Sequence, residues 1–563
     1  MKETTKKLLI LFGITVLLKI ILSIFIKNPV AFSDDYSYMQ LARSLFYSNS
    51  FTVLGQIVNQ YTPLYPLLVS VSYVFKDMNT IFLSMKIINS IISSLMIIPI
   101  YLLSKEFLEE KKAFLITVIS MIIPTNLLFS NLVMSENLYY PLFFFSVYFI
   151  YKSFTSKTVI WDILTGISVG LAYLTRPAAV SLILIILIPF VYKTFKKHFY
   201  EIKKKIIAAI FFLITTLPWF IRNIKLFGFN LRGLFGGYSR EILVTSSGGY
   251  LPQLITWFVV YIGYIFIASG ILFFISGIIF TFSPKRNSKE KIFAIILFST
   301  FICVTILASN HNINSVTNIL TNLSWITGRP VGRYVEMLIP LFLIAGFLGK
   351  EYYENTKEKI KRGWILWGIL ITFFFILMLL ISSQLTYFSL FPPNNMLLAW
   401  IGGVTYLLNN LLLSIWVVPL IITIATFILL SRGFELKNLI SYFIAFLILL
   451  NIINYGALIT MSNSWENNPQ IGLGKYLNDD KISNILIDET TCNTKLTKET
   501  KNEALCEKNN GVTIIGLKTN DNLFIANPEN TRDYDYLIST KEYGYPILKE
   551  TSKIYIYSLK EQK

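Results

Sequence analysis

Two adjacent carboxylates, Asp34 and Asp35, follow the apolar run Leu8 to Ile26 by a few residues, in Phe32-Ser33-Asp34-Asp35-Tyr36-Ser37-Tyr38-Met39-Gln40-Leu41-Ala42-Arg43. Like charges side by side at a boundary between hydrocarbon and water repel each other and lose hydration, so they need a partner or a task. One task is structural. Asp is a good N-cap, and Leu41, Ala42 and Leu45 fall at helical spacing behind the pair. The other task is chemical, because a carboxylate in this place can take the proton of an acceptor hydroxyl.

Further ionisable residues stand at the ends of apolar runs: Arg43, Glu136, Arg176, Arg222, Arg240, Arg329, Arg333 and Glu336. Each has a plain reading of its own. Glu136, in Met134-Ser135-Glu136-Asn137, could cap a helix together with Ser135. Arg176, in Leu174-Thr175-Arg176-Pro177, could snorkel to lipid headgroups. Trp219, in Pro218-Trp219-Phe220-Ile221-Arg222-Asn223, reads as an interfacial belt residue. As a set, though, they supply carboxylates and guanidinium forks, and the fork suits a phosphate. That pairing fits group transfer from a lipid-phosphate carrier: a carboxylate accepts the hydroxyl proton while arginines neutralise charge building on the departing phosphate.

The elements that carry these residues follow from composition. Of 563 residues, 54% are hydrophobic and 15% charged, which excludes an ordinary soluble protein. The apolar runs are continuous rather than alternating, so the expectation is an α-helical polytopic membrane protein and not a β-barrel. Thirteen candidate spans are read, at about residues 8–26, 81–104, 113–130, 138–152, 160–175, 178–193, 206–221, 252–282, 292–309, 334–349, 364–385, 402–430 and 438–460. The net charge of +18 is gathered in short loops, such as those holding Lys105, Lys111 and Lys112, or Lys203, Lys204 and Lys205. The positive-inside rule makes these loops cytoplasmic. The basic excess is then a topology signal, so membrane lipids are expected partners and nucleic acid is not.

With the N-terminus cytoplasmic, an odd number of spans puts the C-terminus outside the cell membrane. Residues 1–464 form the expected transmembrane domain, with long external loops at 27–80, 222–251 and 310–333 that are expected to carry function. From Trp465 the composition turns polar, and residues 465–563 are expected to form a small external α/β domain with a helix at 474–478 and strands at 482–487, 512–515, 536–539 and 554–557. Cys492 and Cys506 fall in that domain and could form a disulfide, whereas Cys303 lies in a span. The run Leu8 to Ile26 has the basic start of a signal peptide but no small-residue cleavage site, so it reads as a retained span.

No phosphate-cradling glycine loop, nucleophile elbow or His/Cys metal spacing occurs. His198 reads as solvated in a cytoplasmic loop, and His311 is external. No cofactor is assigned; two external carboxylates could hold a divalent metal weakly, without a closed ligand set.

On these residues the chain resembles the polytopic GT-C glycosyltransferases of the protein mannosyltransferase and aminoarabinose transferase type. The likeness is carried by the acidic pair with Tyr38 and Ala42, by Tyr61-Thr62-Pro63-Leu64-Tyr65-Pro66, Ser135-Glu136, Thr175-Arg176-Pro177, Pro218-Trp219 with Arg222-Asn223, and Arg333-Tyr334. It covers about residues 8–350. The resemblance implies a multi-span fold with interfacial helices in the first loop, polyprenyl-phosphate sugar donors, a lipid, glycan or protein acceptor, and inversion at the anomeric carbon. It implies Asp34 as the catalytic base, with Asp35 and Glu136 positioning acceptor or donor. Arg176, Arg333 and Arg222 become candidates for the donor phosphate, and Tyr38, Tyr61 and Tyr334 for substrate contact. The pair is Asp-Asp where Asp-Glu is commoner, which leaves open which carboxylate acts. A transporter or flippase of lipid-linked saccharides is the alternative. Lys19 and Lys86 lie near span ends rather than mid-membrane, and the paired repeats common in transporters are absent. A receptor with a mere membrane anchor would not need thirteen spans.

Overall fold

The structure, a computed structural model, describes residues 3–30, 32–195, 200–231, 236, 250–314, 330–354, 393–400, 436–464, 466, 469–479, 482, 484–488, 516, 519–520, 523–526, 531, 533–551 and 554–560. Its helices in chain order are α1 (Glu3–Ile24), α2 (Phe32–Ser48), α3 (Leu64–Ser70), α4 (Met78–Ser94), α5 (Ile97–Lys105), α6 (Glu110–Met121), α7 (Pro124–Leu128), α8 (Glu136–Thr155), α9 (Ile160–Thr175), α10 (Val180–Phe195), α11 (Tyr200–Phe227), α12 (Tyr250–Ala268), α13 (Ile271–Phe282), α14 (Ser288–Asn314), α15 (Ile339–Glu354), α16 (Leu436–Ser464) and α17 (Pro469–Asp479). Among the described residues, seven helices are long and apolar enough to cross a membrane, or eight if Glu110–Met121 and Pro124–Asn131 count as one broken span. The chain is a multi-pass helical membrane protein.

Three differences from the expected spans have local causes. The run 113–130 bends by 66° between α6 and α7. Pro124 starts α7, and the residue before a proline avoids the helical region, so Ile123 is extended and the axis turns there. The run 252–282 is two helices rather than one, because Gly270 adopts φ +73 between α12 and α13. Only glycine takes that conformation at no steric cost, and hydropathy does not register it. The run 334–349 begins its α-helix at Ile339, after the 3-10 turns Gly332–Tyr334 and Glu336–Leu338. The expected spans 364–385 and 402–430 lie outside the described residues.

The chain divides into two compact units. One comprises Met1–Val16, Ile92–Phe129 and Leu138–Gly456. Within it α9 and α11 pack closely because Gly166 leaves no side chain at the crossing: a Cβ there would sit 2.2 Å from the Ala208 carbonyl oxygen. At the ends of these two helices, Lys205 Nζ lies 2.7 Å and Lys204 Nζ 3.6 Å from the fully buried Asp162 carboxylate.

The other unit comprises Leu17–Ile91, Ser130–Asn137 and Ala457–Lys563. It thus joins the first expected external loop to the expected C-terminal domain. In the loop, the hairpin β1 (Thr52–Val53) and β2 (Gln56–Ile57) turns through Leu54 and Gly55, and α2 packs on α3. In the C-terminal part, β3 (Ile485–Asp488), β4 (Leu523–Ala526), β5 (Tyr536–Ser539), β6 (Ile547–Thr551) and β7 (Ile554–Ser558) form one mixed sheet in the order β4-β3-β5-β7-β6. The strand β3 is parallel to both neighbours, and β7 is antiparallel to β5 and β6. Leu473 and Leu477 of α17 close the core on one face over Ile485, Ile487, Ile538 and Ile556. The small α/β domain is therefore present. The edge strands β4 and β6 lie outside the expected strands; β6 carries Lys549 and Glu550, which interrupt its apolar pattern. The expected strand 512–515 and the pair Cys492 and Cys506 lie outside the described residues.

Candidate active site

The acidic pair belongs to the first turn of α2, where the partial positive charge of a helix N-terminus favours carboxylates. Neither residue stands at the cap position that the capping reading of the pair implies, since the helix already begins at Phe32. Successive helical residues point in directions about 100° apart, and the two carboxylates meet different surroundings. Asp35 is fully buried and accepts a hydrogen bond from the backbone N–H of Val133. Asp34 is half-buried.

The segment Leu132–Asn137 against which Asp35 rests is held by its own set of bonds. Asn89 of α4 and Asn137 both donate to the Leu132 carbonyl at 2.9 Å, and Asn137 donates to the Met134 carbonyl at 3.0 Å. Tyr38, one turn along α2 from the pair, donates to Ser135 Oγ at 2.8 Å. Its ring meets the Tyr61 and Tyr65 rings edge-on, at 5.1 Å each. Tyr65 in turn donates to Asn89 Oδ1 at 3.1 Å. Burial raises the Tyr65 hydroxyl well above its ordinary pKa; the bond to Asn89 offsets part of this, and the charges of Asp35 and Glu136 add to it. Tyr65 therefore stays a protonated donor. Glu136 opens α8 and is buried. Asp34, Asp35, Tyr38, Tyr61 and Glu136 thus belong to one unit.

A second cluster lies in the other unit. Arg176 precedes Pro177, which keeps it out of the helical region, so α9 stops at Thr175 and Arg176 is extended at φ −152, ψ 131. Its guanidinium lies 5.3 Å from the Tyr334 ring centroid and 6.0 Å from that of Tyr139. Arg333 lies 5.5 Å from the Tyr334 ring as well. Cations over aromatic faces gain electrostatically, and more when shielded from water. His311 completes the group, with Nε2 3.2 Å from the Tyr334 hydroxyl.

The turn carrying Arg333 is pinned by its backbone. Gly332 N–H donates to Asn395 Oδ1 at 2.7 Å, Asn395 Nδ2 donates to the Pro330 carbonyl at 2.9 Å, and Arg333 N–H donates to the Asn394 carbonyl at 3.0 Å. Tyr261 accepts from the Val331 N–H at 3.1 Å, and Tyr140 donates to the Arg333 carbonyl. Behind the turn, the buried Glu336 accepts from Tyr264 and Thr125. Arg222 sits on α11, with its guanidinium 4.7 Å from the Trp219 ring and Nη1 donating to Asn223 Oδ1 at 2.8 Å. His198, Arg240 and Arg329 lie outside the described residues. Among those described, no three His, Cys, Asp or Glu side chains converge as a metal site.

The profile of the dolichyl-phosphate-mannose-protein mannosyltransferase family matches residues 45–221, a stretch that includes Tyr61, Glu136 and Arg176. By structure, the chain is similar to ArnT from Cupriavidus metallidurans bound to undecaprenyl phosphate, at 10% identity and a TM-score of 0.55 over 98% of this chain and 97% of that one. It is similar to the same protein in the apo state at 12% identity and a TM-score of 0.54, over 98% of each chain. The chain has the GT-C fold. A comparison with curated protein sequences finds no match.

Within this GT-C fold, sequence reading had missed Asn89, Tyr139, Asn394 and Asn395. Asn89 interrupts an apolar run at a buried position and could have been noticed as a costly polar residue in a span. Asn395 offered no such signal, because its partners lie about sixty residues upstream.

Proposed function

We propose that the chain is a membrane glycosyltransferase that moves a sugar from a polyprenyl-phosphate carrier to an acceptor hydroxyl on the external face of the membrane. The observation that carries this reading is the division between Asp34 and Asp35 inside a GT-C fold. Asp35 is buried and holds backbone, while its neighbour is half-buried on the same helical turn. A proton acceptor needs access to substrate, and of the two carboxylates Asp34 is the more exposed, which supports this choice.

In the proposed reaction the acceptor hydroxyl gives its proton to Asp34 as its oxygen bonds to the anomeric carbon. The bond from that carbon to the carrier phosphate breaks, and the polyprenyl phosphate departs with the electron pair. One displacement inverts the configuration. Arg176 and Arg333 offset the charge on the leaving phosphate, with Arg222 a further candidate. The pinned backbone around Arg333 supports this role, because preorganised charge does not have to be reoriented during reaction. The ArnT to which the chain is similar was seen with undecaprenyl phosphate, which supports a lipid-phosphate carrier. Tyr38, Tyr61 and Tyr334 are assigned to substrate contact. The N-terminus is assigned to the cytoplasm and the C-terminal domain to the outside, on the distribution of basic loops.

The test uses full-length protein in lipid nanodiscs with a panel of radiolabelled undecaprenyl-phosphate sugars and a cell-envelope extract as acceptor. Label is expected to move into the acceptor with release of undecaprenyl phosphate, and Asp34→Asn should stop it. Transport of the labelled lipid across vesicles with no glycosidic product would overturn the reading.

A further inference from the structure

The helix that carries Asp34 is gripped at its other end by the C-terminal domain. Arg43 lies nine residues along α2 from Asp34, about 13 Å at the helical rise. It is only 6% exposed, and both Nε, at 2.8 Å, and Nη2 donate to the carbonyl oxygen of Asn520. Its guanidinium lies 5.3 Å from the Tyr47 ring centroid. The Asn520 side chain reaches back to the same region, donating to the Tyr47 hydroxyl at 3.3 Å and the Lys76 carbonyl at 3.2 Å.

Nearer to Asp34, the buried Tyr36 ring lies flush against Gly516. A Cβ at that glycine would be 2.5 Å from Tyr36 Cε2, so any other residue forces the ring or the helix to move. The hairpin after α2 makes a third contact. Leu54 at its tip has left-handed backbone, φ 51, and packs against the domain core, while Gly55 abuts the Phe524 ring. Such a conformation costs a leucine energy that the packing must offset.

A buried guanidinium is strongly destabilising when its acceptor is withdrawn, so the Arg43 contact favours one pose of α2 over others. We propose that Gly516 and Asn520 set the pose of α2, making Arg43 and Gly516 positioning residues for Asp34. This rests on the reading of the chain as a transferase with Asp34 as its base. Proton transfer tolerates little displacement, and a shift of about 1 Å can cost about a hundredfold in rate.

The experiment compares the full-length wild type with Arg43→Met, Arg43→Lys, Gly516→Ala and the double variant Gly516→Ala with Tyr36→Leu. It measures kcat and donor KM with the undecaprenyl-phosphate sugars above, and hydrogen exchange of the amides of α2 and α14. Arg43→Met and Gly516→Ala should lower kcat by about tenfold to a hundredfold, with donor KM changed less than about threefold. Arg43→Lys, which keeps a cationic donor, should recover most of the loss. Tyr36→Leu should recover part of the Gly516→Ala loss, because it removes the ring that the new methyl strikes. Exchange should quicken in α2 and not in α14, which separates a loosened helix from a misfolded protein. Unchanged α2 exchange, or an unchanged kcat in both single variants, overturns the proposal. A wild type that transfers no sugar but shows the expected exchange pattern overturns the transferase reading and leaves the grip on α2 standing.

Discussion

The guanidinium of Arg176 and the ring of Tyr334 lie 5.3 Å apart although 157 residues separate them in sequence. Arg176 is there because Pro177 ends α9, and Tyr334 because Asn394 and Asn395 hold its turn. Arg176→Met should lower kcat/KM for the lipid-phosphate donor by about a hundredfold, as expected for loss of a charge that stabilises a departing phosphate. Tyr334→Phe should stay within about threefold of wild type, because the ring face is what the cation meets. Steady-state kinetics of the three proteins checks both.

Asp34→Asn and Asp35→Asn should fail in different ways. The first should lower kcat by about a hundredfold or more while leaving the melting temperature and donor binding near wild type. The second should lower the melting temperature, because the charge-assisted bond from Val133 N–H weakens, at about 1–2 kcal/mol. Thermal unfolding and donor titration on the two variants distinguish these outcomes.

Asp162→Ala should leave Lys204 and Lys205 facing a hole where their counter-charge was. Lys204 Nζ would keep its bonds to the Ser153 and Ser156 carbonyls, at 2.7 and 2.8 Å, and Lys205 its bond to Ser153 Oγ. Removing one member of a buried ion group typically destabilises by about 3–5 kcal/mol, and the retained bonds place this case at the lower end. The variant should melt earlier in detergent without a change in the catalytic constants of the surviving enzyme.

Sequence alone determined that this is a helical membrane protein with a polar α/β domain at its end, because long apolar runs can satisfy their backbone in lipid only as helices. It also marked Asp34, Asp35, Glu136, Arg176 and Arg333, since charges near span ends are costly and few. Its local signals do not separate Asp34 from Asp35, because adjacent residues share them and differ only in what lies opposite; the resemblance alone implies Asp34 as the base. The tertiary structure gives the two carboxylates different surroundings, by bringing Val133 to Asp35. It also decided the break at Gly270, the support of Arg333 by Asn395 and the grip of Asn520 on Arg43. These depend on one backbone angle or on contacts between distant segments, and neither leaves a periodicity for the sequence to display.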